Sequence, residues 1–366
     1  MNKERISIIE PVGGHGGMEF YNYGLASGLA ANQMNVWLYT CDETKVQTIE
    51  NVTTVKSFGR VWSKKGLSKF STFIRGYYRS FRESKKNKVE TVNFHFFKIG
   101  FINLLVLLLA KFFKFKKVLT LHDVDPLSNQ SANFLHTWSY KLVDTVIVHN
   151  EFSKIELEKK SIQSEKIYVI PHGNYIPFVS KLPPRKNDGH LNLLFFGQIK
   201  EEKGLAVLLD AITEVVKTRQ NIHLTIAGRP WRRGADTYIE QISNNDLTKY
   251  VTSRFEYIPN EEVNGYFANA DIVVLPYKRI YQSGVALLAM SMGRAVLASN
   301  LPPFQELIED GRTGCLFETE NSLELSKKII EIMDQSESLN ELTENAMTML
   351  DEQYNWIEIG KQIKHL

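Results

Sequence analysis

Short runs of β-branched and aromatic residues recur along the first half of the chain: RISIIEP, MNVWLYT, ETVNFHFF, KVLTLHD and DTVIVHN. Each is only a few residues long and most end on turn or helix-start residues, the pattern of strands buried on both faces. Between them, residues 20–32 and 100–113 space their apolar side chains as helices do. This alternation predicts a parallel sheet covered by helices on both faces. The rhythm breaks after IYVIPHGNY, where PFVSKLPPRKNDGH concentrates Pro, Lys, Asn, Asp and Gly. It restarts with LNLLFFG, IHLTIAG, DIVVLPY and AVLAS. Beyond Glu320 the chain reads as mostly helical, with Leu325, Ile329, Ile330 and Met333 on one buried face. The expected organisation is a first α/β domain over residues 1–176, a linker over 177–190, a second α/β domain over 191–350, and a C-terminal helix over 351–366 that could pack back on the first domain. Two doubly wound domains in tandem would face each other across a cleft, with ligands outside the carboxyl ends of the strands.

Length and composition fit that division. At 366 residues the chain exceeds what one core usually serves, and 43% hydrophobic with 23% charged residues is ordinary globular composition. The longest apolar run, FINLLVLLLA, falls well short of the roughly 20 residues needed to cross a bilayer. Cys41 and Cys315 lie far apart and form no metal-ligand spacing, which predicts two reduced thiols, no metal and a cytoplasmic setting.

Four loops carry candidate chemistry. PVGGHGGMEF follows the first strand and opens a helix, so Gly13, Gly14, Gly16 and Gly17 either let backbone N–H groups approach an anion or simply turn the chain. The spacing is not GxGxxG, so a dinucleotide site is not indicated. In LLFFGQIKEEKGLAVLLDAI, Lys203 and Gly204 precede an apolar helix, where a lysine either reaches a diphosphate or remains solvated. In YQSGVALLAM, Ser283, Gly284 and Val285 start a helix and either receive phosphate oxygens on their N–H groups or form an ordinary serine cap. LTLHDVDPL places His122 and Asp123 at a strand end, where a histidine can orient a hydroxyl or serve the core.

In order and spacing these segments resemble the retaining glycosyltransferases of family 4, which have the GT-B architecture. The resemblance rests on GGHGGMEF, LHD, VIPHGNY, FFGQIKEEKGLAVLL, LTIAG, ANADIVVLPY and MGRAVLASNLPPFQELIEDGRTGCLF, and it covers nearly the whole chain. It implies a nucleoside diphosphate sugar held mainly by the second domain, an acceptor held by the first, no cofactor and no required metal. By the same resemblance Lys203 contacts the donor diphosphate, Gly16 and Gly17 belong to the loop approaching it, and His122 lies near the transferred sugar. The leaving phosphate is expected to assist the incoming hydroxyl on the same face. Two positions depart from the pattern. Gln198 stands where the family usually has an arginine, and Ile280 and Leu288 stand where it usually has two glutamates. The Ser-Gly turn survives, and its function rests on backbone N–H groups, so the stretch is expected to be a retained phosphate cradle in a divergent subgroup.

Net charge is +3, yet residues 62–90 hold nine Lys or Arg against two Glu. In that segment Phe70, Phe73, Ile74, Tyr77, Tyr78 and Phe81 recur at three- and four-residue spacing, flanked by Lys64, Lys65, Lys69, Arg75 and Arg79. Such a helix suits an anionic lipid surface and a lipid-linked glycan acceptor, or else packs on the core with a solvated basic edge. Nothing else in the chain resembles a nucleic-acid module. The expected setting is the inner face of the cell membrane, with a partner-dependent, non-catalytic subunit as the competing reading.

Overall fold

The chain folds, in a computed structural model, into two α/β units: Met1–Gly173 with Tyr354–Leu366, and Asn174–Gln353. The structure describes residues 3–14, 16–60, 66–97, 99–124, 133–160, 162–184, 189–231, 234–335 and 338–366.

In the first unit β1 (Arg5–Ile9), α1 (Gly16–Ala31), β2 (Asn35–Thr40), β3 (Val52–Lys56), α2 (Gly66–Lys86), β4 (Thr91–Phe96), α3 (Phe101–Phe112), β5 (Lys116–Leu121), α4 (Asn133–Leu142), β6 (Thr145–Val148), α5 (Glu151–Glu158) and β7 (Ile167–Val169) follow one another. The strands order as β3-β2-β1-β4-β5-β6-β7, and every pairing is parallel. The second unit contains β8 (Leu191–Phe196), α6 (Leu205–Val215), β9 (Ile222–Ala227), α7 (Asp236–Asn244), β10 (Val251–Arg254), α8 (Asn260–Ala268), β11 (Ile272–Leu275), α9 (Gly284–Ser291), β12 (Ala295–Ser299), α10 (Pro302–Gln305), β13 (Cys315–Phe317), α11 (Ser322–Asp334) and α12 (Ser338–Gln353). Its parallel sheet runs β10-β9-β8-β11-β12-β13. In both sheets the order reverses beside the first strand of the unit, the doubly wound, Rossmann-like pattern in which strand ends next to the reversal receive ligands.

Central strands are continuous apolar runs because helices cover both faces: β6 (TVIV), β11 (IVVL) and β12 (AVLAS) are buried throughout. The strands that the apolar pattern does not single out, β3, β7, β10 and β13, are the four sheet edges. They are short, and β3 and β10 are half exposed. An edge strand needs no unbroken apolar run.

The unit boundaries differ from the expected ones. The first division falls between Gly173 and Asn174, not across 177–190. The described part of the Pro-rich segment is attached to the second unit: Leu182 N donates to Met292 O at 2.9 Å, and the buried Arg294 donates to Pro183 O at 2.9 Å. The second division lies at Gln353, because α12 runs that far.

The chain then returns to the first unit as α13 (Trp356–Lys364), which lies against α1. Two glycines permit the approach. A Cβ at Gly28 would lie 1.9 Å from Trp356 O, and one at Gly360 would lie 2.3 Å from the Gly28 carbonyl carbon. Asn32 Nδ2 donates to Ile357 O at 2.8 Å, and Lys364 Nζ donates to Asn32 O at 2.9 Å, closing the pair.

Candidate functional site

In the second unit the candidate residues gather at the carboxyl ends of β8 and β11. The loop after β8 leads through the exposed Gln198 into a single 3-10 turn, Glu201–Lys203, and then Gly204, which begins α6. Gly204 has φ +67°, and a Cβ there would lie 1.8 Å from Pro276 O. The lysine loop is thereby pinned to the segment leaving β11, and Lys278 N donates to Glu202 O at 2.9 Å. This close packing sets Lys203 Nζ over the Tyr277 ring, 3.6 Å from its centroid.

The same segment leads into α9. Ser283 is its N-cap, buried, with Oγ accepting from Ala286 N at 3.2 Å. The hydroxyl proton is still free to donate. Gly284 and Val285 are the first two helical residues, and their N–H groups find no acceptor among the described residues. Unclaimed N–H groups at a helix N-terminus attract an anion. Ile280 is buried and Leu288 half-buried, both apolar, so neither position offers a carboxylate.

In the first unit the glycine loop is held from inside. Glu10, at the end of β1 and fully buried, accepts from Val12 N at 2.6 Å, Gly13 N at 2.7 Å and Asn22 Nδ2 at 3.1 Å. The Gly13 N–H is thus committed to this carboxylate and cannot meet a ligand. Gly16 is the first residue of α1, and the exposed Gly17 follows it. Burial raises the Glu10 pKa, opposed by the three hydrogen bonds.

His122 follows β5 and is not open to solvent. Its ring stacks on Phe97 at 5.0 Å and meets Tyr21 edge-on at 4.9 Å, and its Nε2 is buried with no hydrogen-bond partner among the described residues. It belongs to a row of four imidazoles at successive strand ends. His95 to His122 is 5.5 Å, His122 to His149 is 5.2 Å and His149 to His172 is 5.7 Å between ring centroids. Tyr21 sits in the middle, within 5.5 Å of all four. Burial, and secondarily the neighbouring imidazoles, lower the His122 pKa well below 6.5. Burial likewise pushes His95 and His172 down to about 3 and His149 to about 4. All four are neutral at pH 7. Among the described residues no three His, Cys, Asp or Glu are placed to hold a metal.

Two family profiles match consecutive parts of the chain: "Glycosyltransferase Family 4" over residues 15–174 and "Glycosyl transferases group 1" over residues 190–335. The chain belongs to the family 4-type glycosyltransferases. It is 35% identical over 106 residues to a GDP-mannose:glycolipid 4-beta-D-mannosyltransferase of Xanthomonas campestris pv. campestris, covering 29% of each chain. It is 25% identical over 235 residues to the lipopolysaccharide 1,2-N-acetylglucosaminetransferase of Salmonella typhimurium, covering 60% of each. These alignments span less than two thirds of either relative. Its fold matches sucrose-phosphate synthase from Thermosynechococcus elongatus with a TM-score of 0.77 at 20% identity, over 99% of this chain and 98% of that one. The two Rossmann-like units are those of the GT-B architecture.

Not all of the basic helix lies on the surface. Lys64 and Lys65 fall outside the described residues. Arg75 and Arg79 are exposed on α2, and Lys69 is half-buried. Of the aromatic positions, Tyr77 and Phe81 are core residues, packed on Phe58 and Phe94, whereas Phe70 and Tyr78 are exposed. The helix therefore packs on the domain with its second half and presents its first half and one edge. Sequence reasoning missed Glu10 and the histidine row. A lone acid after an apolar strand reads as a surface residue, and four histidines at least 23 positions apart show no motif.

Proposed function

We propose that this glycosyltransferase transfers a sugar from a nucleoside diphosphate sugar to a lipid-linked glycan, with retention and without a metal. The observation that carries the reading is the joint placement of two unclaimed helix N–H groups, the Ser283 hydroxyl and Lys203 around the ends of β8 and β11. An N-terminal dipole with a nearby ammonium suits a diphosphate. The charge that builds on the departing diphosphate is where fixed donors contribute most to rate. With no protein nucleophile assigned, the leaving phosphate takes the proton of the incoming hydroxyl on the face it vacates. His122, neutral, would hold a sugar hydroxyl rather than act as an acid, which requires Phe97 to turn aside. The glycolipid and lipopolysaccharide acceptors named for the two relatives support a lipid-linked acceptor.

Among the described residues no helix is long and apolar enough to cross a membrane. Attachment would rest on α2 and its neighbour α3. Leu67 is 87% exposed and Phe112 is 80% exposed, and the Tyr78 ring on α2 meets that of Phe113 at 5.9 Å. With Lys69, Arg75 and Arg79 this gives an apolar and basic surface for the anionic inner face of a membrane.

Titration with UDP, GDP, dTDP and CMP tests the donor reading. Wild type is expected to bind one nucleoside diphosphate selectively, and Lys203→Ala to lose that binding while unfolding at the same denaturant concentration. Undiminished binding by Lys203→Ala removes the lysine from the site. The apolar Ile280 and Leu288 favour a second reading, a non-catalytic partner subunit on the same fold. That reading gains if no nucleotide binds at all.

A further inference from the structure

The cations at the carboxyl edge of the second sheet are mostly committed. Lys203 lies on Tyr277, Lys200 faces the Trp231 ring at 5.4 Å, Lys278 pairs with Glu320 at 3.2 Å, and Arg279 donates to Tyr281 Oη at 2.9 Å. Arg229 differs. It is exposed, and no hydrogen bond, ion pair or ring contact engages its guanidinium among the described residues.

Strand register fixes its place. β8 and β9 pair in parallel with one constant offset from Leu191↔Ile222 to Phe196↔Ala227, and the same offset returns at the Ile199↔Pro230 bridge. Gln198 therefore stands opposite Arg229, and Ile199 N donates to Arg229 O at 3.0 Å. Residues opposite each other in a ladder share a face, on strands about 4.8 Å apart. An arginine side chain is long enough to cross that spacing. A charge needed over the end of β8 can thus be delivered from β9.

We propose that Arg229 binds the diphosphate of the donor, from the strand beside the neutral Gln198. The inference rests on the donor reading above and names a further residue of the same site. Lys203 and Arg229 would then divide the work. The lysine is a point charge, whereas the guanidinium offers a planar fork of donors that can meet two phosphate oxygens at once. A fork discriminates a diphosphate from a monophosphate more strongly than an ammonium does, because it can bridge oxygens on both phosphorus atoms.

The test is a calorimetric titration of GDP, UDP, GMP and UMP into wild type, Arg229→Ala, Gln198→Arg and the double variant, with far-UV circular dichroism confirming the fold of each. Arg229→Ala is expected to weaken diphosphate binding by roughly 10- to 100-fold, the effect of losing a charge-assisted hydrogen-bond pair. Monophosphate affinity should change far less. Gln198→Arg should restore diphosphate binding to the Arg229→Ala chain, since it returns a guanidinium one strand away. Equal diphosphate affinity in wild type and Arg229→Ala overturns the assignment of Arg229 and leaves the donor site standing. Loss of mono- and diphosphate binding alike, without rescue, also overturns it, because that is the result of a distorted loop. If wild type binds no nucleotide, the donor reading fails first and the role of Arg229 fails with it.

Discussion

Gly204 is the position where one added methyl group should do most harm. Its φ of +67° is in the left-handed region, and the added carbon would lie 1.8 Å from the backbone carbonyl oxygen of Pro276. Gly204→Ala is expected to lower unfolding stability by about 1–3 kcal/mol and to weaken nucleoside diphosphate binding by displacing Lys203. Denaturant unfolding and the same nucleotide titration would measure both. Wild-type stability in the variant would mean that the loop does not meet the end of β11 as described. This part of the site was legible in the sequence, because a lysine and a glycine directly before an apolar helix announce a turn with a cation on it. Glu10 was not legible. What makes it a structural anchor is the convergence of two loop N–H groups and Asn22 on its carboxylate, and a linear pattern carries none of that. Arg229 gains meaning only once the β8–β9 register is known.

At the scale of elements, the strands that the apolar pattern announced are the interior of each sheet, and those it passed over are the edges. Burial on both faces over several residues writes a strand into the sequence, whereas half-exposure, as in β3 and β10, or a length of three residues, as in β7 and β13, leaves it looking like a loop. The four histidines are an element-scale feature too, since each sits at or just beyond the end of one of four adjacent strands. Their lowered pKa values bind folding to pH in a definite direction. A histidine whose folded pKa lies below its unfolded value of about 6.5 stays neutral in the native chain while the unfolded chain takes up a proton. Its stabilising effect is complete above pH 6.5 and is lost as pH falls from there toward the folded pKa of about 3 to 4. Each such group steepens the fall by up to about 1.4 kcal/mol per pH unit. His95 is the clearest probe, because both its ring nitrogens are buried without a partner among the described residues. His95→Phe is expected to flatten the decline of unfolding free energy between pH 7 and pH 5 by about one proton's worth. An unchanged slope in urea titrations at the two pH values would mean that His95 is charged, or exposed, in the native state.

For the molecule as a whole, the distribution of charge says more than its sum. The chain carries a net charge of only +3, yet residues 62–90 hold nine cations against two acids, so the remainder is mildly acidic. Uneven charge orients a protein on an anionic surface without making it bind polyanions indiscriminately. The exposed half of α2 joins basic residues to apolar ones, and α3 adds Phe101, Leu108 and Phe112 at the surface. Each cation near an anionic bilayer contributes about 1 kcal/mol, an effect confined to a Debye length of about 8 Å at physiological salt. Replacing Lys69, Arg75 and Arg79 by Gln should therefore weaken co-sedimentation with vesicles containing phosphatidylglycerol by about 100-fold, and raising the salt concentration should weaken wild type in the same direction. Neutral phosphatidylcholine vesicles should hold wild type and variant equally poorly. Leu67→Ser with Phe112→Ser provides the complementary case, in which binding falls but the salt dependence stays. If the charge-neutral variant sediments like wild type, α2 and α3 face something other than lipid. Nucleotide binding by the second unit would be untouched by that outcome, so the donor site and the membrane face stand or fall separately.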